Sequence, residues 1–313
     1  MQIRLYTPDL LPTVLELLRR SDSTPRTPET WEGNGMSALL AFEGDRAVGL
    51  IPLQPREFKI SAGCYVNALW VSGAHVDMPY RSKGLGAAMD AKIVTFYPQA
   101  QAVFAYRQDE DSRAYQWYMK MGYKPMSLIF SFKKEVPVQV KDVDYKIYTT
   151  KKDIEGRGEQ MLTLFNELAG KSGGYPRRSV SFWGHTWGFH YYRDFYQYAL
   201  LTIEEQGQLL AYAFVGETSI RDEVKRLDIL ELASPIQTGV FQRIIDVIID
   251  YAQHKKLQEL RIQCAALDPL KEKIASMGFT LRWQTNILGK ELKPGSLKQA
   301  DTPNWKYFQI DYI

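Results

Sequence analysis

The sequence predicts two related α/β (α+β) domains in one chain, each a mixed, mostly antiparallel sheet flanked by helices. Length is the first support, because 313 residues are many for one compact domain and comfortable for two of about 150. An internal repeat is the second. The third is the order of periodicities in each half: strand, helix, a second helical stretch, several strands, helix, strand, helix, strands.

The repeat shows in three places. Arg4-Leu5-Tyr6-Thr7 recurs as Lys146-Ile147-Tyr148-Thr149, each a short strand running into a helix, predicted over Asp9 to Arg20 and Ile154 to Leu168. Ala38-Leu39-Leu40-Ala41-Phe42-Glu43 is echoed by Ala199-Leu200-Leu201-Thr202-Ile203-Glu204. Turn residues follow each copy, Gly44-Asp45 and Gln206-Gly207, so both read as hairpins. Near the end of each half, Met121-Gly122-Tyr123 matches Met277-Gly278-Phe279. The offsets of 142, 161 and 156 residues keep one order, as a duplication requires. The charged run Lys133 to Asp142, broken by Pro137, lies between the copies and divides the chain into 1–138 and 139–313.

Hydrophobic residues at 45% and charged residues at 24% exclude disordered and fibrous classes. A net charge of +3 without a Lys/Arg tract gives no basis for a nucleic-acid or membrane-surface partner, so an acidic ligand must be met locally. The first residues do not resemble a signal peptide, and no apolar run is long enough to span a bilayer. The expectation is a cytoplasmic monomer or homodimer. Cys64 and Cys264 match no metal-ligand spacing and are too few for a disulfide framework, so both read as small buried apolar residues and no metal is expected.

The strongest local signal is His75-Val76-Asp77-Met78-Pro79-Tyr80-Arg81-Ser82-Lys83-Gly84-Leu85-Gly86-Ala87, which passes from a strand (Tyr65 to Val76) through a glycine-containing loop into a helix. Leu85, Ala88, Met89, Ile93 and Phe96 give that helix one apolar face, and Pro98 closes it. Amides and the positive dipole end at such a helix start suit a phosphate or pyrophosphate. Gly84 and Gly86 leave room for its approach, while Arg81 and Lys83 add charge. A glycine turn that merely starts a helix is the plainer reading. The spacing is neither the dinucleotide nor the P-loop pattern.

The run Val-x-x-Pro-Tyr-Arg-x-x-Gly-x-Gly, followed by Tyr118-Met119-Lys120-Met121-Gly122-Tyr123, resembles the GNAT superfamily of N-acetyltransferases over roughly Gln2 to Phe132. The resemblance implies acetyl-CoA as cosubstrate, its pyrophosphate on the amides of Ser82, Lys83, Gly84, Leu85, Gly86 and Ala87 beside Arg81. It also implies a pantetheine arm beside the splayed strand at Ala74, His75 and Val76, whose unpaired amides would polarise the thioester carbonyl. The implied activity is N-acetyl transfer to a primary amine of a small molecule or peptide by direct attack. The alternative is a non-catalytic acyl-CoA sensor.

The second copy has Ile236 and Phe241 where the first has Arg81 and Gly86, and Ile274 where the first has Tyr118. It therefore reads as degenerate. Tyr118 matches the family's general acid, with Tyr115, one turn earlier, as fallback. Asp111 stands where many members carry Asn. No base is marked. Trp70 occupies the place of a glutamate base; His75 adjoins the splay but is equally a packed strand histidine; Glu32, Glu57 and Asp109 are candidates or plain surface. The aromatic stretch Tyr175 to Tyr198, with His185 and His190, offers an acceptor surface or interdomain packing. The aromatic tail Trp305 to Ile313 is expected to dock, and its terminal carboxylate is a further candidate base.

Overall fold

The computed structural model describes residues 1–20, 27–33, 35–107, 112–138, 143–189, 196–218, 225–308 and 311. In chain order the first repeat comprises β1 (Gln2–Leu5), α1 (Leu11–Arg20), α2 (Pro28–Gly33), β2 (Ser37–Glu43), β3 (Arg46–Ser61), β4 (Cys64–Val71) and β5 (His75–Val76). It continues with α3 (Leu85–Phe96), β6 (Ala102–Arg107), α4 (Arg113–Lys120) and β7 (Lys124–Glu135). The second repeat comprises β8 (Lys146–Tyr148), α5 (Lys151–Glu155), α6 (Gly158–Ala169), β9 (Tyr175–Pro176), α7 (Phe182–Phe189), β10 (Tyr196–Glu205) and β11 (Gln208–Thr218). It ends with β12 (Arg226–Ala233), α8 (Gly239–His254), β13 (Glu259–Ala265), α9 (Leu270–Ser276) and β14 (Thr280–Glu291).

These elements form two compact units. The first holds Met1–Phe58, Tyr65–Met126 and Thr285–Ala300; the second holds Lys59–Cys64, Ser127–Gln284 and Asp301–Ile313. Within the first, strands run in the order β1-β2-β3-β4-β6-β14, and only β4 and β6 are parallel among the pairings described. Within the second, the order is β7-β13-β12-β11-β10-β8, with β12 and β13 as the parallel pair. Both sheets are mixed and mostly antiparallel, with helices on them, as the sequence predicts. The units are discontinuous in sequence. Asn286–Glu291 of β14 pairs with β6 in the first unit, whereas Ile129–Glu135 of β7 pairs with β13 in the second.

The central strands are apolar on both faces, and the reason is visible in β2. Leu39 and Ala41 enter a core with Leu85, Met89 and Ile93 of α3 and Tyr115 and Tyr118 of α4. Ala38, Leu40 and Phe42 enter another with Leu11, Val14, Leu17 and Leu18 of α1 and with Trp31. Period-two alternation thus feeds two cores, and the strand reads as one continuous apolar run. In the second unit β10 divides likewise, Leu201 and Ile203 toward α8, Leu200 toward α6 and α7.

The Gly-aromatic repeat has a common backbone cause. Gly122 has φ +86 and Gly278 φ +85. Tyr123 N bonds Tyr118 O at 3.1 Å, and Phe279 N bonds Ile274 O at 3.2 Å. Each glycine ends its helix in the left-handed region, with the next amide reaching five residues back.

Several local expectations change. The helix expected from Asp9 begins as a 3-10 turn over Pro8–Leu10. The one expected from Ile154 to Leu168 is two helices, α5 and α6. Gly158 opens α6 where a Cβ would lie 2.2 Å from the Val180 carbonyl oxygen, a contact only glycine permits. The strand expected from Tyr65 to Val76 breaks after Val71, and Gly73 takes φ +72 in the gap. Of the aromatic stretch, Trp183 and Tyr198 are buried in the core of the second unit, and residues 190–195 lie outside the described residues. Cys264 is buried, whereas Cys64 is only partly so.

Candidate active site

The break in the long strand creates the candidate site. The parallel ladder between β4 and β6 runs from Ala68–Ala102 to Val71–Ala105 and stops. The chain then leaves β6: His75 and Val76 pair instead with Leu50 and Gly49 of β3. Tyr106 and Arg107 continue β6, held by Ile287 and Asn286 of β14 on the opposite side. Two neighbouring strands therefore separate at one end of the sheet, leaving backbone edges that face each other without pairing.

At this opening Asp77 leads into a 3-10 turn, Met78–Tyr80, and then the loop to α3. Ser82 has φ +61 and Gly84 φ +78, so the loop uses the left-handed region twice before the helix begins. The first helical bond is Ala88 N to Gly84 O at 2.9 Å. The amides of Leu85, Gly86 and Ala87 precede it and have no helical carbonyl to bond, the usual condition of a first turn. Arg81, Ser82, Lys83 and Gly84 are exposed, whereas Leu85 is buried. Arg81 Nε donates to Val76 O at 2.7 Å, tying the loop to β5, and Lys83 Nζ stands 5.8 Å from the Tyr80 ring centre.

The two glycines have different roles. A Cβ on Gly84 would meet nothing within 4 Å, so its requirement is conformational. A Cβ on Gly86 would lie 3.2 Å from Trp117 Nε1 of α4, so that residue also permits close helix packing.

Ala74 and Val76 pack toward the core of α3 and α4. His75 alternates to the other face, where its Nε2 lies 3.1 Å from Asp77 Oδ1. Asp77 Oδ2 accepts from Arg20 at 2.9 Å and Arg46 at 3.4 Å. The His75 ring is thus held by a carboxylate whose charge two guanidiniums already offset. Of the other base candidates, Glu32 and Glu57 are exposed; Trp70, at the place of a glutamate base, stacks on Phe58 and Phe104 at 6.2 and 6.1 Å, and those two rings are 4.6 Å from each other.

Tyr118 is buried on α4, and its hydroxyl accepts a hydrogen bond from Arg107 Nη2 at 3.1 Å. The guanidinium carbon also lies 4.8 Å from the ring centre. Burial raises the phenol's pKa, the Arg107 charge and hydrogen bond oppose the rise, and Asp90 adds to it. The net direction is upward, so Tyr118 is a neutral proton carrier at pH 7. Tyr115 is buried in the same core, and its amide is capped by Ser112 Oγ at 3.1 Å. Behind Tyr118, Tyr123 donates to Asp90 Oδ1 at 3.0 Å, and Lys290 of β14 donates to Asp90 Oδ2 at 2.5 Å. Asp109, Asp111, His190 and the terminal Ile313 lie outside the described residues.

Arg107 and Asp90 escape sequence reasoning. Asp90 leaves one trace, a carboxylate beside Met89 on the apolar face of α3; Ala88, expected on that face, is exposed. Arg107 ends an apolar strand and leaves none.

The second unit repeats the opening without the loop. Its parallel ladder stops at Ile229–Ile262 while both strands continue, to Ala233 and Ala265. Phe241 is buried in the core, and its amide bonds Thr238 O at 3.2 Å. Gly239 does not take positive φ. A cavity of about 260 Å³ lies at the opening, lined by Ser234, Ile236, Phe241, Gln263, Lys306 and Phe308 among others. Trp305 and Tyr307 of the tail are buried, with Trp305 Nε1 donating to Ile60 O at 2.8 Å.

Among the described residues no three or more His, Cys, Asp or Glu side chains are grouped to hold a metal ion, and no helix is long and apolar enough to cross a membrane.

Residues 8–123 match the family described as the acetyltransferase (GNAT) family. No curated protein matches the chain significantly. Among solved structures, a probable N-acyltransferase from Enterococcus faecalis V583 superposes with a TM-score of 0.72 at 11% identity, covering 96% of this chain and 74% of that one. A GCN5-related N-acetyltransferase from Anabaena variabilis gives 0.71 at 13%, with 96% and 75% covered. A tandem GNAT protein from the clavulanic acid biosynthesis pathway gives 0.57 at 13%, with 94% and 99% covered. At these identities the likeness is one of fold.

Proposed function

We propose, from the match of residues 8–123 to the acetyltransferase (GNAT) family, that the first unit transfers the acetyl group of acetyl-CoA to a primary amine of a small molecule or peptide. The observation that carries the proposal is the meeting of three features at one end of one sheet. They are the separated strands β4 and β6, the left-handed loop that opens α3, and a buried tyrosine on α4.

On this reading the amides of residues 82 to 87 bind the pyrophosphate and Arg81 adds charge to the loop it braces. The strand edge at Ala74, His75 and Val76 binds the pantetheine arm. The amine, once deprotonated, attacks the thioester carbonyl, and its electron pair forms the new C–N bond as the carbonyl oxygen becomes an oxyanion. Backbone amides at the strand edge stabilise that charge. Collapse breaks the C–S bond and leaves the pair on sulfur, which takes the Tyr118 proton; the cationic nitrogen gives up its extra proton to form the neutral amide, a proton returns to the Tyr118 phenolate through solvent, and CoA departs as the thiol. Residues 1–138 carry this chemistry and 139–313 a degenerate copy, whose loop has Ile236 in place of Arg81 and no left-handed turn at Gly239. His75, tied to Asp77, serves orientation rather than proton transfer.

The test is thiol release from acetyl-CoA across a panel of amines, beside calorimetry of acetyl-CoA binding. Amine-dependent release is expected. Binding without release from any amine would instead identify an acyl-CoA sensor, and absence of binding would reject both.

A further inference from the structure

Arg107 has no part in the reaction as written, yet its guanidinium is the hydrogen-bonding partner of the proposed acid. Resting on the reading of Tyr118 as that acid, we propose that Arg107 is a positioning residue that aims the Tyr118 hydroxyl proton and stabilises the phenolate left after transfer.

The geometry gives the reason. A guanidinium has donors and no acceptor, so in the 3.1 Å contact the phenol oxygen must accept. The Tyr118 O–H proton therefore points away from Arg107 and remains available to another acceptor. When the thiolate takes that proton, a negative oxygen forms in a buried site, where an unpaired charge is costly. The guanidinium is already in hydrogen-bond contact with that oxygen, and a charge-assisted bond strengthens as the phenolate develops. Arg107 is the last residue of β6, beyond the end of the β4 ladder, and it is registered by Asn286 of β14. Its Nε is buried and makes no hydrogen bond among the described residues.

Among the described residues, the surrounding groups do not supply a competing cation. From α3, Asp90 bears on Tyr118 with a charge of the wrong sign. Lys290 of β14 is committed to Asp90 Oδ2. Tyr123 presents its ring edge-on at 4.8 Å and gives its hydroxyl to Asp90, and Trp117 is edge-on at 4.7 Å. Arg107 is thus the cation that faces the phenol oxygen.

The experiment compares Arg107→Met, Arg107→Lys, Tyr118→Phe and the Arg107→Met/Tyr118→Phe double variant. Turnover of Arg107→Met is expected to fall about tenfold to a hundredfold, with KM for acetyl-CoA within about twofold, as for a group acting on the chemical step. Arg107→Lys, which keeps the charge, recovers part of the loss. The double variant is no slower than Tyr118→Phe alone, because Arg107 acts through the phenol. Independently of turnover, ultraviolet titration against the Tyr118→Phe background follows this one phenol, which ionises at higher pH in Arg107→Met than in the native enzyme. An unmoved phenol titration, or a double variant slowed by a further factor equal to that of Arg107→Met, overturns the role of Arg107. Native turnover in Tyr118→Phe removes the acid role instead, and the phenol titration still judges the Arg107 contact on its own.

Discussion

Gly84→Ala and Gly239→Ala place the same methyl group at the start of corresponding helices and are expected to have opposite effects. Gly84 holds φ +78 and ψ 1, and an added Cβ meets no atom within 4 Å. The cost is therefore backbone strain alone, about 1–2 kcal/mol for an L-residue in the left-handed region. Restricting the unfolded chain offsets roughly 0.4–1 kcal/mol of it. The net loss is of order 1 kcal/mol. Gly239 also has open space around its Cβ direction but no positive φ, so only the unfolded-state term operates and the variant gains roughly 0.4–1 kcal/mol. The two variants should differ by about 1–2 kcal/mol in urea-unfolding free energy. Calorimetry of the same samples should show weaker acetyl-CoA binding in Gly84→Ala and native binding in Gly239→Ala. Equal stability of the pair would refute the claim that the left-handed turn, rather than glycine content, distinguishes the two loops.

Acetyl-CoA should bind once per chain, and calorimetry finding two equivalent sites would remove the assignment of the second copy as degenerate. Replacing Gly86 by Val should abolish that binding, because the added carbons press on Trp117 as well as on the loop, whereas Phe241→Leu should leave it intact. Lys290→Met takes the cation from buried Asp90 and leaves it only Tyr123 as a described hydrogen-bond donor, so thermal unfolding should report a loss approaching about 3 kcal/mol, part of it restored by Asp90→Asn. Burial raises the phenol pKa of Tyr118, Tyr123 and Tyr212 above the unfolded value. Their contribution to stability is therefore complete below the unfolded pKa of about 10 and is lost as pH rises toward the folded values. The urea-unfolding free energy should begin to decline above about pH 10, and a flat stability profile from pH 9 to 12 would contradict it.

Much of the fold is legible in residues close together in the chain. The Gly-aromatic pairs at 122–123 and 278–279 announce left-handed helix ends because a positive φ needs glycine there. The turns at Gly44-Asp45 and Gln206-Gly207 announce the β2–β3 and β10–β11 hairpins, and the loop from Arg81 to Gly86 announces the start of α3. Each signal is local, since turn chemistry and helical spacing act within a few residues. Which strands would complete which sheet is not local. β7 and β14 are similar apolar strands at the ends of the two repeats, and nothing in either states that Ile129–Glu135 pairs in the second unit and Asn286–Glu291 in the first. That exchange places Asn286 beside Arg107 and Lys290 on Asp90, 200 residues away in the chain. Trp183 and His75 teach the same lesson, since composition does not say that Trp183 is buried in the core of the second unit or that His75 meets Asp77. The sequence by itself determined the repeats, the helix ends and the glycine loop before α3, whose causes lie in adjacent residues. The tertiary structure alone decided which charge faces which hydroxyl, because that depends on strand register between segments far apart in the chain.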